Sequence, residues 1–83
     1  MKLPPQKQML IRAICLNYDD RPKWEREKIK RLCDKCGGAY SAALFRLMTT
    51  NDSVTKISMD YYVSERTLYN IRKAFYESWY AKK

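Results

Sequence analysis

The hydrophobic positions of this chain recur at helical spacing in five stretches, separated by short polar segments. The first stretch runs from Gln6 to about Tyr18. It follows Pro4 and Pro5, which suit a helix start because proline lacks the N–H group that is unpaired there. We expect the core-facing side of this first helix to consist of Leu10, Ala13, Ile14 and Tyr18.

The second stretch predicts a helix from about Pro22 to Cys36, with Asp19 and Asp20 placed to cap it. Trp24 is expected to cover the junction with helix one. The apolar stripe of this helix is Ile29, Leu32, Cys33 and Cys36. Its opposite side is rich in lysine and arginine, and we interpret it either as a nucleic-acid surface or as a solvated face. Mixed charges four residues apart, such as Glu27 with Arg31, favour the solvated face.

Gly37 and Gly38 follow this helix directly, and glycine readily takes the left-handed conformation that closes a helix. The third helix is predicted from Ala39 to Met48. Its inward stripe is Tyr40, Ala43, Leu44, Leu47 and Met48. The segment TTNDS then ends this helix, and Asp52 or Ser53 is the expected N-cap of the next one.

Two further helices are predicted, from Val54 to about Tyr61 and from Ser64 to about Ala81. No stretch alternates apolar and polar residues as a strand does, so we expect an all-α fold. At 83 residues the chain suits one domain. Residues 1–50 then form a three-helix platform, and residues 51–83 form a helix-turn-helix with an extended last helix.

The last helix carries two apolar lines. One is formed by Leu68, Ile71, Phe75 and Trp79, and the other by Tyr69, Tyr76 and Tyr80. One line is enough for packing within a small domain. The second either widens the core or forms an aromatic patch that pairs two copies through the C-terminal helix, because twofold DNA-binding proteins read twofold sites.

The stretch from Val54 to Lys73 carries a resemblance to a known family. Ile57 and Ser58 precede an apolar turn residue, Val63, and the segment SERTLYNI from Ser64 to Ile71 follows. This pattern resembles the helix-turn-helix of region four of bacterial sigma factors, and it is similar to small sigma-like regulators of phages. Tyr62 stands where the family usually has glycine. The turn is therefore either left-handed at Tyr62, at some energetic cost, or of another geometry.

The resemblance implies a recognition helix that begins at Ser64 and enters the major groove of DNA. The candidate base-reading residues are Glu65, Arg66, Tyr69 and Asn70. Arginine can bond guanine, asparagine can bond adenine and glutamate can accept from cytosine. The candidate phosphate-binding residues are Thr55, Lys56, Ser64, Thr67 and Lys73.

Composition fits a nucleic-acid partner. The net charge is +8, and clustered lysine and arginine displace counterions from a polyanion. We expect no membrane span, no secretory signal and a cytoplasmic location. The three cysteines Cys15, Cys33 and Cys36 include a C-D-K-C element, but the chain has no histidine. Buried cysteines are therefore favoured over a zinc site, and no cofactor is expected.

Catalysis has little support, because no histidine, phosphate-binding glycine loop or activated nucleophile is evident. We therefore expect a non-enzyme. The favoured function is a phage-encoded transcriptional regulator that binds double-stranded DNA. The alternative is a protein-interaction module of the same fold, an inhibitor or adaptor that binds RNA polymerase or another host protein.

Overall fold

The computed structural model describes residues 3–80, and these form an all-α fold with none of them in a strand. The α-helices are α1 (Pro5–Leu16), α2 (Lys23–Gly37), α3 (Ser41–Thr49), α4 (Val54–Tyr61) and α5 (Glu65–Trp79). Single turns of 3₁₀-helix precede α2 and α3, at Tyr18–Asp20 and Gly38–Tyr40. The predicted fold class is confirmed. The predicted end of the last helix at Ala81 lies outside the described residues.

One hydrophobic core joins residues from all five helices. Leu44 and Met48 of α3 are fully buried at its centre, and Leu68 and Phe75 of α5 pack there as well. Val63, in the turn between α4 and α5, is also buried. The platform helices thus bury the inner face of the C-terminal helix pair, which leaves the outer face of that pair at the surface.

The predicted buried face of α1 is right at two positions and wrong at two. Ile14 and Tyr18 pack against the core as expected, whereas Leu10 is 54% exposed and Ala13 is exposed. Ile11 and Cys15 are fully buried instead, so the buried face is centred nearer these two residues than expected. Apolar residues occur all around α1, and its periodicity therefore did not define a single inward face.

The predicted environment of Trp24 is also wrong. Its side chain is 63% exposed and does not cover the junction with α1, while the next residue, Glu25, is buried. Glu25 is satisfied by an ion pair with Arg21. A carboxylate can occupy this buried position because its charge is neutralised by a hydrogen-bonded partner one turn away.

The predicted caps of α2 and the start of α3 need correction too. Asp19 and Asp20 lie in a 3₁₀ turn, and Pro22 occupies the N-cap position of α2 without a side-chain hydrogen bond. Gly38 has a φ of 54° and redirects the chain after α2. The following turn is 3₁₀, so α3 begins only at Ser41, and Tyr40 is exposed instead of inward-facing.

Two arginines fix the C-terminal end of α3. Arg12 of α1 donates to the backbone oxygens of Leu47 and Thr50, at 2.6 and 2.8 Å. These carbonyls lie at the negative end of the α3 dipole, where a cation is favoured. Arg46 makes ion pairs with Asp52 at 2.8 Å and with Asp60 at 2.9 Å. Hydrogen bonding to Asp52 raises the pKa of the Arg46 guanidinium.

Candidate nucleic-acid interface

The side chains of Ser53 and Ser64 cap the N-termini of α4 and α5. Ser53 Oγ accepts from the backbone N–H of Lys56 at 3.1 Å, and Ser64 Oγ accepts from that of Thr67 at 3.1 Å. Each bond satisfies one of the N–H groups that lack a partner within the helix. The predicted cap at Ser64 is confirmed, and it fixes where the outer face of α5 begins.

The turn between α4 and α5 is left-handed at Tyr62, which has φ 56° and ψ 44°. The first of the two predicted turn geometries is therefore the one observed. The Ser58 hydroxyl donates to the backbone oxygen of Val63. In return, the Val63 N–H donates to the backbone oxygen of Ser58 at 3.1 Å. These two hydrogen bonds close the turn, while Tyr62 itself is 95% exposed and contributes no packing that would offset the cost of its backbone conformation.

The outer face of α5 is exposed along its first three turns. We define the α5 strip as the five exposed residues Glu65, Arg66, Tyr69, Asn70 and Lys73. They are spaced three or four apart in two adjacent rows, and residues at that spacing are neighbours on a helix surface. All four residues predicted to read bases, and one predicted to bind phosphate, are thus brought together on one face.

The cations of the strip, Arg66 and Lys73, form no ion pair with another residue in the range 3–80. Lys56, in the first turn of α4, is exposed and likewise makes no ion pair with a described residue. By contrast, Arg12 and Arg46 hold the fold together. The strip therefore carries cations that remain available to an external anion.

Two internal contacts organise the strip. Thr55 donates to Glu65 Oε2 at 3.2 Å, which restrains the one carboxylate in the strip. The Arg72 guanidinium lies over the Tyr69 ring, 5.2 Å from its centroid. A guanidinium at that distance is attracted to the ring face and limits the freedom of the tyrosine. Arg72 itself is half-buried.

The five candidate phosphate-binding residues differ in availability. Thr55, Lys56 and Lys73 are exposed. The Ser64 hydroxyl donates to Thr67 Oγ1 at 2.8 Å, so its hydrogen already has an acceptor. Thr67 is half-buried, and its own hydroxyl hydrogen is not used by that bond. A phosphate contact from Ser64 requires its present hydrogen bond to break, whereas one from Thr67 does not.

Sequence reasoning missed the residue that secures α4 against α3. Arg46 binds Asp52, just before α4, and Asp60, in the last turn of α4. Its guanidinium also lies 5.8 Å from the Tyr61 ring centroid. The only sequence signal was the pair of carboxylates bracketing α4, eight residues apart, and nothing in their spacing named Arg46 as the shared partner. This contact sets the position of the helix that precedes the strip.

Two of the three cysteines, Cys15 and Cys33, are buried in the core. No group of three or more potential metal ligands lies together in the described part of the chain. Burial raises the pKa of the Cys15 thiol to about 12, and that of Cys33 to about 12 as well. Cys36 is half-buried and its thiol contacts Ser78 Oγ at 3.5 Å. Thiols held in the neutral form are poor metal ligands and poor nucleophiles.

The fold and this surface define a small all-α protein with a capped, cationic helix face. Comparisons of the chain with protein-family models, with curated proteins and with solved structures gave no match. No helix among residues 3–80 combines the length and the apolar character that crossing a membrane requires.

Proposed function

We propose that this protein is a sequence-specific regulator of transcription that binds double-stranded DNA, of the phage type that its sequence resembles. In this proposal α4 and α5 act as a helix-turn-helix, and α5 lies in the major groove with its N-terminal turns against the base edges. The three platform helices bury the inner face of α5 and hold the α5 strip outward.

The observation that carries this proposal is the α5 strip itself. Arg66 and Asn70 lie one turn apart on an exposed face, in a geometry that suits bidentate bonds to guanine and adenine on neighbouring base pairs. Glu65 adds an acceptor for cytosine, and its bond from Thr55 restrains it. Lys56 and Lys73 flank these groups and supply contacts to phosphate, which set register without reading sequence.

A selection from random duplex DNA with the full chain tests the proposal. We expect a preferred site and an affinity whose logarithm falls linearly with the logarithm of salt concentration, by about 0.9 for each phosphate neutralised. Lys73→Ala should reduce that slope by about one phosphate equivalent and weaken binding to all sequences alike. Arg66→Ala and Asn70→Ala should each relax the preference at one position of the site.

Matched controls come from the charged face of α2. Arg31 is exposed, as Arg66 is, but lies on a different helix. Arg31→Ala should leave the site preference intact. If no site is selected at low salt, and Arg66→Ala with Asn70→Ala leaves duplex affinity unchanged, the proposal is wrong.

A protein-interaction module remains the second candidate. A groove that α3 forms with α2 and α4 favours it. This groove has a volume of about 490 Å³ and lies between α2, α3 and the end of α4, with Phe45, Ala42 and Tyr61 among its lining residues. A pull-down from host lysate that survives nuclease treatment and is lost with Ala42→Glu would support it. Trp79 is buried and therefore unsuited to such contacts.

A further inference from the structure

The outer face of α1 exposes several apolar side chains. Met9 is 71% exposed and Leu10 is 54% exposed, and Pro5, Ala13 and Leu16 are also exposed. Met9, Ala13 and Leu16 follow one another at spacings of four and three, so they form a continuous row opposite the buried Ile11 and Cys15. Contiguous exposed apolar rows of this kind mark interaction sites.

Charge is depleted on this helix in a protein that is otherwise strongly charged. Only two of the twelve residues of α1 are charged, Lys7 and Arg12, whereas nine of the fifteen residues of α2 are. Both cations of α1 are directed to partners within the chain. Lys7 lies 5.1 Å from the Tyr80 ring centroid, and Arg12 binds the backbone oxygens of Leu47 and Thr50. Low charge with exposed methionine is typical of the centre of a protein–protein contact.

A groove runs beside the row. Its volume is about 450 Å³, and it lies between α1 and α5, with Met9, Ala13 and Leu16 on one wall and Tyr76 and Arg72 on the other. The Arg72 guanidinium lies over the Tyr69 ring, 5.2 Å from its centroid. The surface therefore offers both protruding apolar side chains and a recess that can receive them.

We propose that this face pairs with the same face of a second copy, with the two α1 helices antiparallel about a twofold axis near Ala13. In that arrangement the Leu10 end of one helix lies beside the Leu16 end of the other. The small side chain of Ala13 at the crossing point permits the helix axes to approach to about 8 Å. A twofold contact uses one patch twice, and a row with apolar ends and a small centre is complementary to itself.

The choice of a second copy over a different protein rests on charge. The chain has a net charge of +8, and an acidic partner would be attracted to the strongly charged helices and not to α1, whose two cations already contact groups within the chain. Pairing through α1 brings two surfaces of low charge together and leaves the cations of α2 at the periphery. The three tyrosines considered for pairing through α5 are not free for it. Tyr69 lies under Arg72 and Tyr80 under Lys7, and Tyr76 lines the groove beside α1.

The area of the exposed α1 face limits the stability of the proposed dimer. A helix of twelve residues is about 18 Å long and about 10 Å wide. Even with the adjoining groove, the buried area stays below about 1,200 Å² in total, which is the range of weak and transient complexes. The like charges of the two copies oppose association at low salt, and screening relieves that repulsion. The dimer should therefore be weak and should become stronger as salt is added.

Sedimentation of the full chain without DNA tests this inference independently of the proposed function. We expect the 10.0 kDa monomer at about 10 µM and a growing dimer fraction towards about 1 mM, with more dimer at about 1 M salt than at about 0.1 M. Ala13→Glu should abolish the dimer, because two carboxylates would then meet at the crossing point. Thermal unfolding of this variant should match that of the unaltered protein at low concentration, since Ala13 is exposed.

Met59 provides the matched control. It is 70% exposed on α4, which is nearly the exposure of Met9 on α1. Met9→Glu should weaken the dimer at least tenfold, and Met59→Glu should leave it unchanged. A monomeric mass across the whole concentration range at both salt concentrations would overturn the inference. So would a dimer that salt weakens, or one that Met9→Glu and Met59→Glu affect equally.

Discussion

The hydroxyl of Thr55, in the first turn of α4, donates a hydrogen bond to Oε2 of Glu65, the first residue of α5, at 3.2 Å. This bond joins the N-terminal ends of the two helices that form the candidate DNA-binding unit. It also restrains the only carboxylate in a strip that otherwise carries neutral and basic side chains.

Replacing Glu65 tests whether this carboxylate faces DNA. Glu65→Gln removes one negative charge near the phosphates, where a charge pair at the surface amounts to about 1 kcal/mol. We expect affinity for non-specific duplex to rise about fivefold at about 0.1 M salt, where the screening length is about 10 Å, measured by fluorescence anisotropy. Glu77→Gln is the control, because Glu77 lies about 18 Å further along the same helix and beyond the screening length. Equal effects of the two substitutions would argue against Glu65 facing DNA.

Replacing Tyr62 by glycine should stabilise the protein. Its φ of 56° is left-handed and its side chain is 95% exposed, so glycine relieves backbone strain and removes little packing. Tyr62→Gly should raise the free energy of unfolding by about 1 kcal/mol, measured by urea denaturation. Tyr62→Ala keeps the Cβ atom and should give no such gain. A loss of stability with glycine would show that the turn is not strained at this residue.

Replacing Arg12 should destabilise the protein. Its guanidinium binds two backbone oxygens at the end of α3, and hydrogen bonds from a charged group contribute about 2 kcal/mol. Arg12→Met keeps much of the aliphatic stem and should lower the free energy of unfolding by about that amount. Arg31→Met, at an exposed site on α2, should change it by less than about 0.5 kcal/mol. Equal effects would contradict a role for Arg12 in joining α1 to α3.

The buried thiols predict a loss of stability at alkaline pH. Burial raises the pKa of Cys15 and of Cys33 from 9.0 to about 12. The unfolded chain therefore releases these protons from about pH 9 upward while the folded protein keeps them. It follows that the free energy of unfolding falls as pH rises from about 9 towards 12 and is unaffected by these groups below that range.

Urea denaturation at pH 8 and pH 10 measures this effect. The two thiols together should account for a decrease on the order of 3 kcal/mol. Cys33→Ala should remove about half of that decrease, even though the variant starts from a lower stability. Cys36→Ala, at a half-buried position, should retain nearly all of it. An unchanged decrease in Cys33→Ala would exclude Cys33 as a source.

Local signals in the sequence determined the C-terminal half of the fold. The helix predicted from Val54 to about Tyr61 is observed at Val54–Tyr61, and the Ser64 cap fixed the start of α5. These features depend on residues within one or two turns of each other, which is the range over which capping and helical periodicity operate. The exposure of Arg66 and Asn70 was predictable for the same reason, because the apolar residues within α5 define which of its other residues face outward.

Tertiary structure decided what periodicity left undetermined. The apolar residues of α1 are distributed around all sides of the helix. Packing against α3 and α5 therefore selected Ile11 and Cys15 for the core and left Met9 and Ala13 outside. Long-range partners such as Arg46 with Asp52 and Asp60 carry no local signature. The sequence by itself thus determined the helices and the outward face of α5. Only the folded chain decided which face of α1 is exposed, because burial depends on the neighbouring helices and not on the helix alone.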